Sequence, residues 1–189
     1  MHNLEPYYLW REVYCAEKDP HSPFYKREYS EIFFTNAVYN YLIHPQWDEI
    51  GSQTLFIKIL FVNYDKHYCI IELIGEWNDL LYNDIMHLYR NVVETLLDND
   101  IKYFILIGEN VLNYHADTND YYEEWFSYID DGWIIGLNFR DFVVQEFENA
   151  NIDYFIAFKG EFNDFNWRKL LPDQLFEKCN SIFQNRLGI

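Results

Sequence analysis

Basic residues are scarce in this sequence, and their scarcity sets its charge. The chain has 14 Lys and Arg against 31 Asp and Glu, which gives a formal net charge of −17 at pH 7. This field repels a phosphate backbone or an anionic lipid surface, and no basic stripe offsets it. We therefore expect neither nucleic acid nor a membrane as a partner. The charge is interpreted mainly as a source of solubility, with a basic protein partner or a cation site as the alternative.

Cysteine is also scarce, and so are long hydrophobic runs. The three cysteines, Cys15, Cys69 and Cys179, lie far apart and form no CxxC pair. Neither a disulfide framework nor a structural zinc site is therefore expected. No stretch approaches the roughly 18 apolar residues of a membrane-spanning helix, and the first residues show no signal-peptide pattern. These absences predict a cytoplasmic location.

The sequence lacks the motifs that hold cofactors or activate nucleophiles. Its seven glycines form neither GxGxxG nor GxxxxGK(S/T), the loops whose backbone amides cradle phosphate groups. It has no GxSxG motif for a serine nucleophile, and no cysteine lies in a context that would activate it. We therefore expect no cofactor, and the sequence favours a non-catalytic protein.

Aromatic residues are what the sequence has in abundance. They make up 21% of the chain, and half of all residues are hydrophobic, so a sizeable core is expected. Residues 1–50 hold four of the five prolines but are also rich in aromatic residues. We predict that they form an aromatic N-terminal arm, packed on the domain or on a second subunit. Residues 51–189 are predicted to form a single α/β domain.

The most regular pattern is a predicted β-hairpin at the start of that domain. Two β runs, Leu55–Val62 and His67–Gly75, are separated by four turn residues. A three-residue loop would place Lys58 opposite Glu72, and opposite charges across two strands stabilise each other. We interpret them as an ion pair on a partly exposed face. The alternative is a buried acid at Glu72.

The rest of the chain alternates between predicted helices and strands. The helices are expected at 78–99, 120–129, 140–149 and 172–184, and the strands at 103–108, 132–137 and 154–158. In the first helix, apolar residues at 81, 85, 88, 92 and 96 form one stripe, and Asn78 or Asp79 would be the N-cap. The predicted fold class is α/β: a mixed sheet that starts with a β-hairpin and continues with alternating α/β units.

This order of elements resembles that of STAS-type and SpoIIAA-like domains over roughly residues 55–185. The resemblance is carried by the order itself and by the strand–loop–helix stretch Ile105–Asn119. It implies helices largely on one side of the sheet and a small regulatory or partner-binding module. Signalling members of the family carry a phosphorylatable Ser in the loop after a central strand. Here that place holds Gly108-Glu109-Asn110-Val111-Leu112-Asn113, with no hydroxyl residue before Thr118, so the resemblance implies no phosphorylation switch.

A candidate ligand site lies in the segments predicted to follow the strands. The segment 109–117 follows a buried strand, at the edge where ligands gather in open α/β sheets, and later polar residues would share that edge. The candidate residues are Glu109, Asn110, Asn113, His115, Asp117, Asn138, Arg140, Glu161 and Arg168. Such a set suits a cationic or polyhydroxylated ligand, or a divalent cation. The alternative is a polar surface loop with structural arginines.

The predicted helix at 120–129 is aromatic over most of its circumference. Its candidate interface residues are Tyr121, Tyr122, Trp125 and Phe126. They cannot all be buried against one sheet face, so either the arm or another chain would cover the outer side. The favoured function is accordingly a non-catalytic protein-interaction or regulatory module that binds another protein or itself. The alternatives are a small enzyme or ligand-binding protein that uses residues 109–117 with a divalent cation, and a purely structural homo-oligomer.

Overall fold

A mixed five-stranded β-sheet organises the fold. In the computed structural model, which describes residues 4–30 and 32–188, a small hairpin of β1 (Ala37–Val38) and β2 (Tyr41–Leu42) precedes this sheet. The strands of the sheet lie side by side as β3 (Asp48–Glu49), β4 (Leu55–Asn63), β5 (Tyr68–Asn78), β6 (Tyr103–His115) and β7 (Trp133–Leu137). Pairing is antiparallel from β3 to β5 and parallel from β5 to β7. The predicted fold class is therefore confirmed.

The hairpin of β4 and β5 places Lys58 opposite Glu72 as predicted, but its turn has four residues, 64–67, rather than three, and a bulge between Ile59 and Phe61 compensates for the extra residue. The two charged residues do not form the expected exposed pair. Lys58 lies opposite Glu72, and the Asn63 side chain closes the turn by accepting a hydrogen bond from the Lys66 N–H at 3.0 Å. Lys58 is 6% exposed and Glu72 is 2% exposed. Lys58 pairs with Asp48 at 3.2 Å. The expectation of a partly exposed Lys58–Glu72 ion pair is wrong, because other parts of the chain cover this face.

The segment predicted as one long helix is broken. It forms α1 (Asp79–Tyr82), α2 (Asp84–Leu88), a π-helical turn (Tyr89–Val93) and α3 (Glu94–Leu97). The break between α1 and α2 lies at Asn83, whose φ of 52° is left-handed, a conformation that asparagine tolerates well. Asn78 is the N-cap, as predicted, and its side chain accepts from the Leu81 N–H at 3.0 Å. Leu81 itself is 71% exposed, so its predicted place in the buried stripe is wrong.

Strand β6 continues well beyond its predicted end at residue 108. It runs to His115 because β5 also continues, to Asn78, and offers a backbone partner along the whole length. The pairing is irregular on both sides of Gly75. Val111 and Tyr114 are buried. The expectation that 109–117 forms a loop is therefore wrong for residues 109–115.

The later elements follow the prediction with one exception. They are α4 (Asp120–Tyr128), α5 (Asp141–Asn149) and α6 (Pro172–Leu187), with Pro172 in the first turn of α6. The predicted strand at 154–158 is wrong, because this segment pairs with β7 only through a single bridge from Ala157 to Ile135. Lys159, with a φ of 63°, turns the chain away directly afterwards.

The first face of the sheet is covered by helices. Ile57, Ile71 and Leu106 of the sheet belong to one core with Trp125 of α4 and Phe147 of α5. We call this the helix-covered face. Among the described residues, no helix is long and apolar enough to cross a membrane.

The second face is covered by α6 and by part of the N-terminal fifty residues. Its core contains Trp10, Ile70, Ile105, Trp167 and Leu175. We call it the arm-covered face. Lys58 and Glu72 point to this side, because they alternate with residues of the helix-covered core. The division of the chain at residue 50 into an arm and a domain stays a prediction.

Candidate functional site

Three of the predicted site residues meet in one polar network. Glu109 Oε1 accepts hydrogen bonds from Asn138 Nδ2 at 2.7 Å and from Trp167 Nε1 at 2.8 Å. Glu109 Oε2 lies 2.7 Å from the Arg168 guanidinium. Asn138, directly after β7, also exchanges two hydrogen bonds with the backbone of Phe165. The network therefore fastens the segment around residues 165–168 to the sheet.

Glu72 extends this network toward the N-terminal segment. Its Oε2 accepts the Tyr7 backbone N–H at 2.8 Å, and its Oε1 lies 3.9 Å from Arg168. Burial raises the pKa of Glu72 to about 7, and the Tyr7 N–H and Arg168 only partly oppose that rise. The sequence signal for this residue was a lone acid in an apolar strand. It was not among the nine predicted site residues.

Two further predicted residues meet at the carboxyl ends of β5 and β6. His115 Nε2 lies 2.8 Å from Glu76 Oε1 and 3.0 Å from Asn113 Nδ2. The parallel register places Asn113 beside Glu76 and His115 beside Asn78. The Tyr39 hydroxyl also hydrogen-bonds with Glu76 and Asn113. These contacts tie the small β1–β2 hairpin to the end of the sheet.

The remaining predicted residues lie in other places. Asn110 and Arg140 line a cavity of about 200 Å³. Glu161 lines a separate cleft together with Asp164. Asp117 is exposed after the end of β6. The nine residues are thus distributed over several groups rather than around one pocket, and as functional residues they stay predictions.

A second buried acid lies where β5 passes into α1. Asp79 accepts hydrogen bonds from the Ile85 N–H at 2.8 Å, from Trp77 Nε1 at 3.1 Å and from the Tyr122 hydroxyl at 2.6 Å. Burial raises the pKa of Asp79 to about 7. These donors belong to β5, α2 and α4, so this carboxyl group joins three elements. Sequence reasoning had named Asp79 only as a possible cap.

Neither metal chemistry nor a cysteine nucleophile finds support in the described residues. In residues 4–30 and 32–188, no three His, Cys, Asp or Glu side chains are grouped so that they could hold a metal ion. Burial raises the pKa of the Cys69 thiol, and it raises that of Cys179 to about 12. Both thiols are therefore protonated at neutral pH, which disfavours nucleophilic attack.

The aromatic helix α4 divides its side chains between core and surface. Tyr122 and Trp125 are fully buried. Tyr121 is half-buried, with its ring 6.0 Å from that of Tyr89, and Phe126 is 41% exposed. The side of the helix away from the sheet is accessible, with Glu123, Ser127 and Tyr128 exposed, and the predicted interface stays a prediction.

An exposed apolar surface lies at the end of the sheet. Leu80 is 60% exposed, Leu81 is 71% exposed and Tyr39 of the small hairpin is 60% exposed. Helix α1, which carries both leucines, contacts β6. We call the set Tyr39, Leu80, Leu81, His115 and Asp117 the carboxyl-edge surface. Sequence periodicity missed the two leucines, because it predicted a continuous helix through Asn83.

The likeness of this chain to known proteins is weak. No family model matches the chain, and no curated protein matches it. Among solved structures, the chain is similar to the phosphorylated form of the Bacillus cell fate determinant SpoIIAA, with 10% sequence identity and a TM-score of 0.36. The match covers 56% of this chain and 92% of that one. No family assignment follows from a likeness of this size.

Proposed function

We propose that the chain is a non-catalytic protein-interaction module of the cytoplasm, and that its carboxyl-edge surface binds a basic, partly apolar segment of a partner protein. The observation that carries the proposal is the outward position of Leu80 and Leu81. Neighbouring leucines that are each more than half exposed are natural anchors for a partner. Burying one such side chain contributes roughly 1.5–3 kcal/mol.

The position of these leucines is built into the local backbone. The Asn78 cap starts α1 and the left-handed Asn83 ends it. Asp79 accepts the Ile85 N–H across the break, which holds α1 and α2 in their relative orientation. The two leucines are therefore presented by a fixed turn rather than by a mobile loop, and a partner would not need to order them on binding.

Charge decides which kind of partner fits. Asp117 and Asp120 are exposed near the end of β6, and the whole chain carries a net charge of −17. A second copy of the same chain would have to approach against this charge, whereas a basic segment would be attracted to it. A basic partner is therefore favoured over a homodimer.

The polar groups of the site support binding better than catalysis. The carboxylate of Glu109 is occupied by Asn138, Trp167 and Arg168. The Nε2 atom of His115 faces Glu76 and Asn113, so this ring nitrogen either donates to the carboxylate or accepts from the amide. Groups that already satisfy one another are not aimed at a substrate, whereas general acids and bases must reach the reacting atom.

The test uses phage-displayed random peptides, selected on the full chain. We expect the selected peptides to combine Lys or Arg with apolar residues, and to bind more weakly as salt is raised. The variant Leu80→Ser/Leu81→Ser should weaken their binding about tenfold or more. The matched control is Leu171→Ser, which changes an equally exposed leucine at the start of α6 and should leave binding unchanged.

Two results would overturn the proposal. One is a selection that yields no basic peptides, or peptides that bind the double variant as well as the unmodified chain. The other is a concentration-dependent dimer in sedimentation that the double variant abolishes. That dimer would assign the surface to a second copy of the chain.

A further inference from the structure

We infer that the cavity beneath the β1–β2 hairpin is a binding site for a small amphipathic carboxylate, a molecule with one short apolar tail and one carboxylate group. This inference does not rest on the proposed function. The cavity lies on the arm-covered side, between the hairpin, the N-terminal segment and the far halves of β5 and β6. Its volume is about 200 Å³.

Most of the cavity wall is apolar. The side chains that line it come from the N-terminal segment, the hairpin and both long strands: Leu4, Val38, Leu42, Ile43, Ile74 and Leu112. A dry apolar cavity of about 150 Å³ is large enough to hold benzene. The space therefore takes one aromatic ring or a short alkyl chain.

Gly75, which lines the cavity, allows β5 to pass close to Thr54. Its φ of 115° suits glycine, and a Cβ there would lie 2.0 Å from the Thr54 carbonyl oxygen. The close approach of β5 to Thr54 therefore requires a glycine. The Val38 Cγ2 atom of the hairpin lies 3.4 Å from the same position, an ordinary van der Waals contact, so the hairpin packs directly on β5 at the cavity.

The polar end of the cavity carries a cation, Arg140. The side chains of Asn110 and Arg140 line it, and within the described part of the chain neither of them has a hydrogen-bond or ion-pair partner. The other five arginines all have partners: Arg11, Arg27, Arg90, Arg168 and Arg186. Arg140 is exposed. In a chain whose acids outnumber its bases 31 to 14, an exposed arginine that none of the described acids occupies leaves this end of the apolar cavity open to an anion.

The chemistry at this end selects a carboxylate. A guanidinium group matches a carboxylate with two parallel hydrogen bonds, and the Asn110 amide adds a neutral donor. The described residues that line the cavity include neither Asp nor Glu. A doubly charged phosphate would meet only one cation here and the net negative charge of the chain, so a singly charged group fits better.

The experiment titrates the isotope-labelled full chain with phenylpropionate and follows methyl and amide NMR signals. Phenylpropanol and phenylpropylamine serve as neutral and cationic ligands of the same shape. We expect phenylpropionate to shift the signals of Val38, Leu42, Ile74 and Leu112. We also expect it to bind about tenfold more tightly than the alcohol, because charge-assisted hydrogen bonds are stronger than neutral ones.

Variants locate the polar contact. Arg140→Gln should remove the preference for the carboxylate over the alcohol, whereas Arg11→Gln, which changes an exposed arginine outside the cavity, should keep it. The inference is overturned if no ligand shifts the signals of the cavity methyl groups. It is also overturned if alcohol and carboxylate bind the unmodified chain equally, or if Arg140→Gln leaves the preference intact.

Discussion

The two faces of the sheet are built on different principles. On the helix-covered face, apolar residues such as Ile57, Ile71 and Leu106 meet helices that lie nearby in the sequence. On the arm-covered face, Lys58 and Glu72 are buried beneath segments from the two ends of the chain. The first face is stabilised by packing, and the second depends in part on buried charges and their partners, the Lys58–Asp48 ion pair and the Tyr7 N–H on Glu72. One sheet can therefore carry two kinds of core. Sequence periodicity predicts the core on the helix-covered face, whereas the core on the arm-covered face depends on contacts between residues that are distant in the sequence.

The largest expected effect belongs to the packing of the helix-covered face. Phe147 of α5 is fully buried, and its ring lies 3.8 Å from that of Tyr114 and 5.4 Å from that of Trp77. Phe147→Ala should lower the free energy of unfolding by about 4 kcal/mol, since it removes a large side chain from a close-packed core. Urea denaturation of the variant and the unmodified chain measures this loss in the free energy of unfolding. Phe142→Ala, which changes the exposed phenylalanine of the same helix, should cost less than about 0.5 kcal/mol.

Next in size is the effect of removing a buried charge from beside Lys58. Asp48 is fully buried, lies 3.2 Å from Lys58 and accepts the Tyr29 hydroxyl hydrogen bond. Asp48→Asn should cost roughly 3 kcal/mol in urea denaturation, because it leaves the ammonium group without its counter-charge. Lys58→Met in the same chain should restore part of that loss. If the single and double variants are equally stable, the ion pair does not support this face.

Two of the buried acids, Glu72 and Asp79, predict how stability changes with pH. Burial raises the pKa of Glu72 from 4.5 to about 7 and that of Asp79 from 3.8 to about 7. The folded chain therefore binds more protons than the unfolded chain within this window, and stability falls as the pH rises from about 4 to about 7. Each group contributes at most roughly 3 kcal/mol to this fall.

Substitutions separate the contributions of the two acids. Glu72→Gln and Asp79→Asn should each remove a comparable share of the fall in the free energy of unfolding between about pH 5 and pH 8, as measured by urea denaturation. Burial also raises the pKa of Asp48 and of Asp84, so part of the fall should remain in each variant. The two variants compare Glu72, a carboxyl group on the arm-covered face, with Asp79, a carboxyl group that contacts α2 and α4. An unchanged pH dependence in both variants would contradict the assignment.

The smallest expected effect concerns the cap of α1. The Asn78 side chain accepts the Leu81 N–H at 3.0 Å, so Asn78→Ala should cost about 1 kcal/mol in thermal or urea unfolding. Asn119 is a matched control, because it occupies the N-cap of α4 without a capping side-chain hydrogen bond. Asn119→Ala should leave stability almost unchanged. Equal losses in the two variants would show that the Asn78 bond is not a stabilising cap.

The sequence predicted the parts of the fold that depend on neighbouring residues. The β4–β5 hairpin follows from two β runs around one short turn, and α5 and α6 follow from helical periodicity. The pairing of Lys58 with Glu72 also depends on a bulge between Ile59 and Phe61, which the sequence pattern did not predict. The extension of β6 to His115 was not predictable in this way, because it depends on β5 continuing beside it.

The candidate site was harder to predict than the fold. The approach of Asn138 to Glu109 followed from the prediction that polar segments after parallel strands share one edge. The contact of Glu72 with the Tyr7 N–H joins residues 65 positions apart, and no local pattern encodes such a contact. That Arg140 has no partner among residues 4–30 and 32–188 was hidden for a similar reason, since a sequence does not show which acids other arginines take as partners.

A single left-handed residue, Asn83, has a consequence for reading amphipathic patterns in general. Ile85, Leu88, Val92 and Leu96 keep one phase and are buried, while Leu81, four positions before Ile85, faces solvent. Apolar residues at helical spacing share one face only while the helix is continuous. One left-handed residue between them is enough to place them on different faces. Whether a leucine belongs to the interior or to the surface is then decided by an asparagine two positions away, and not by the leucine's own hydrophobicity.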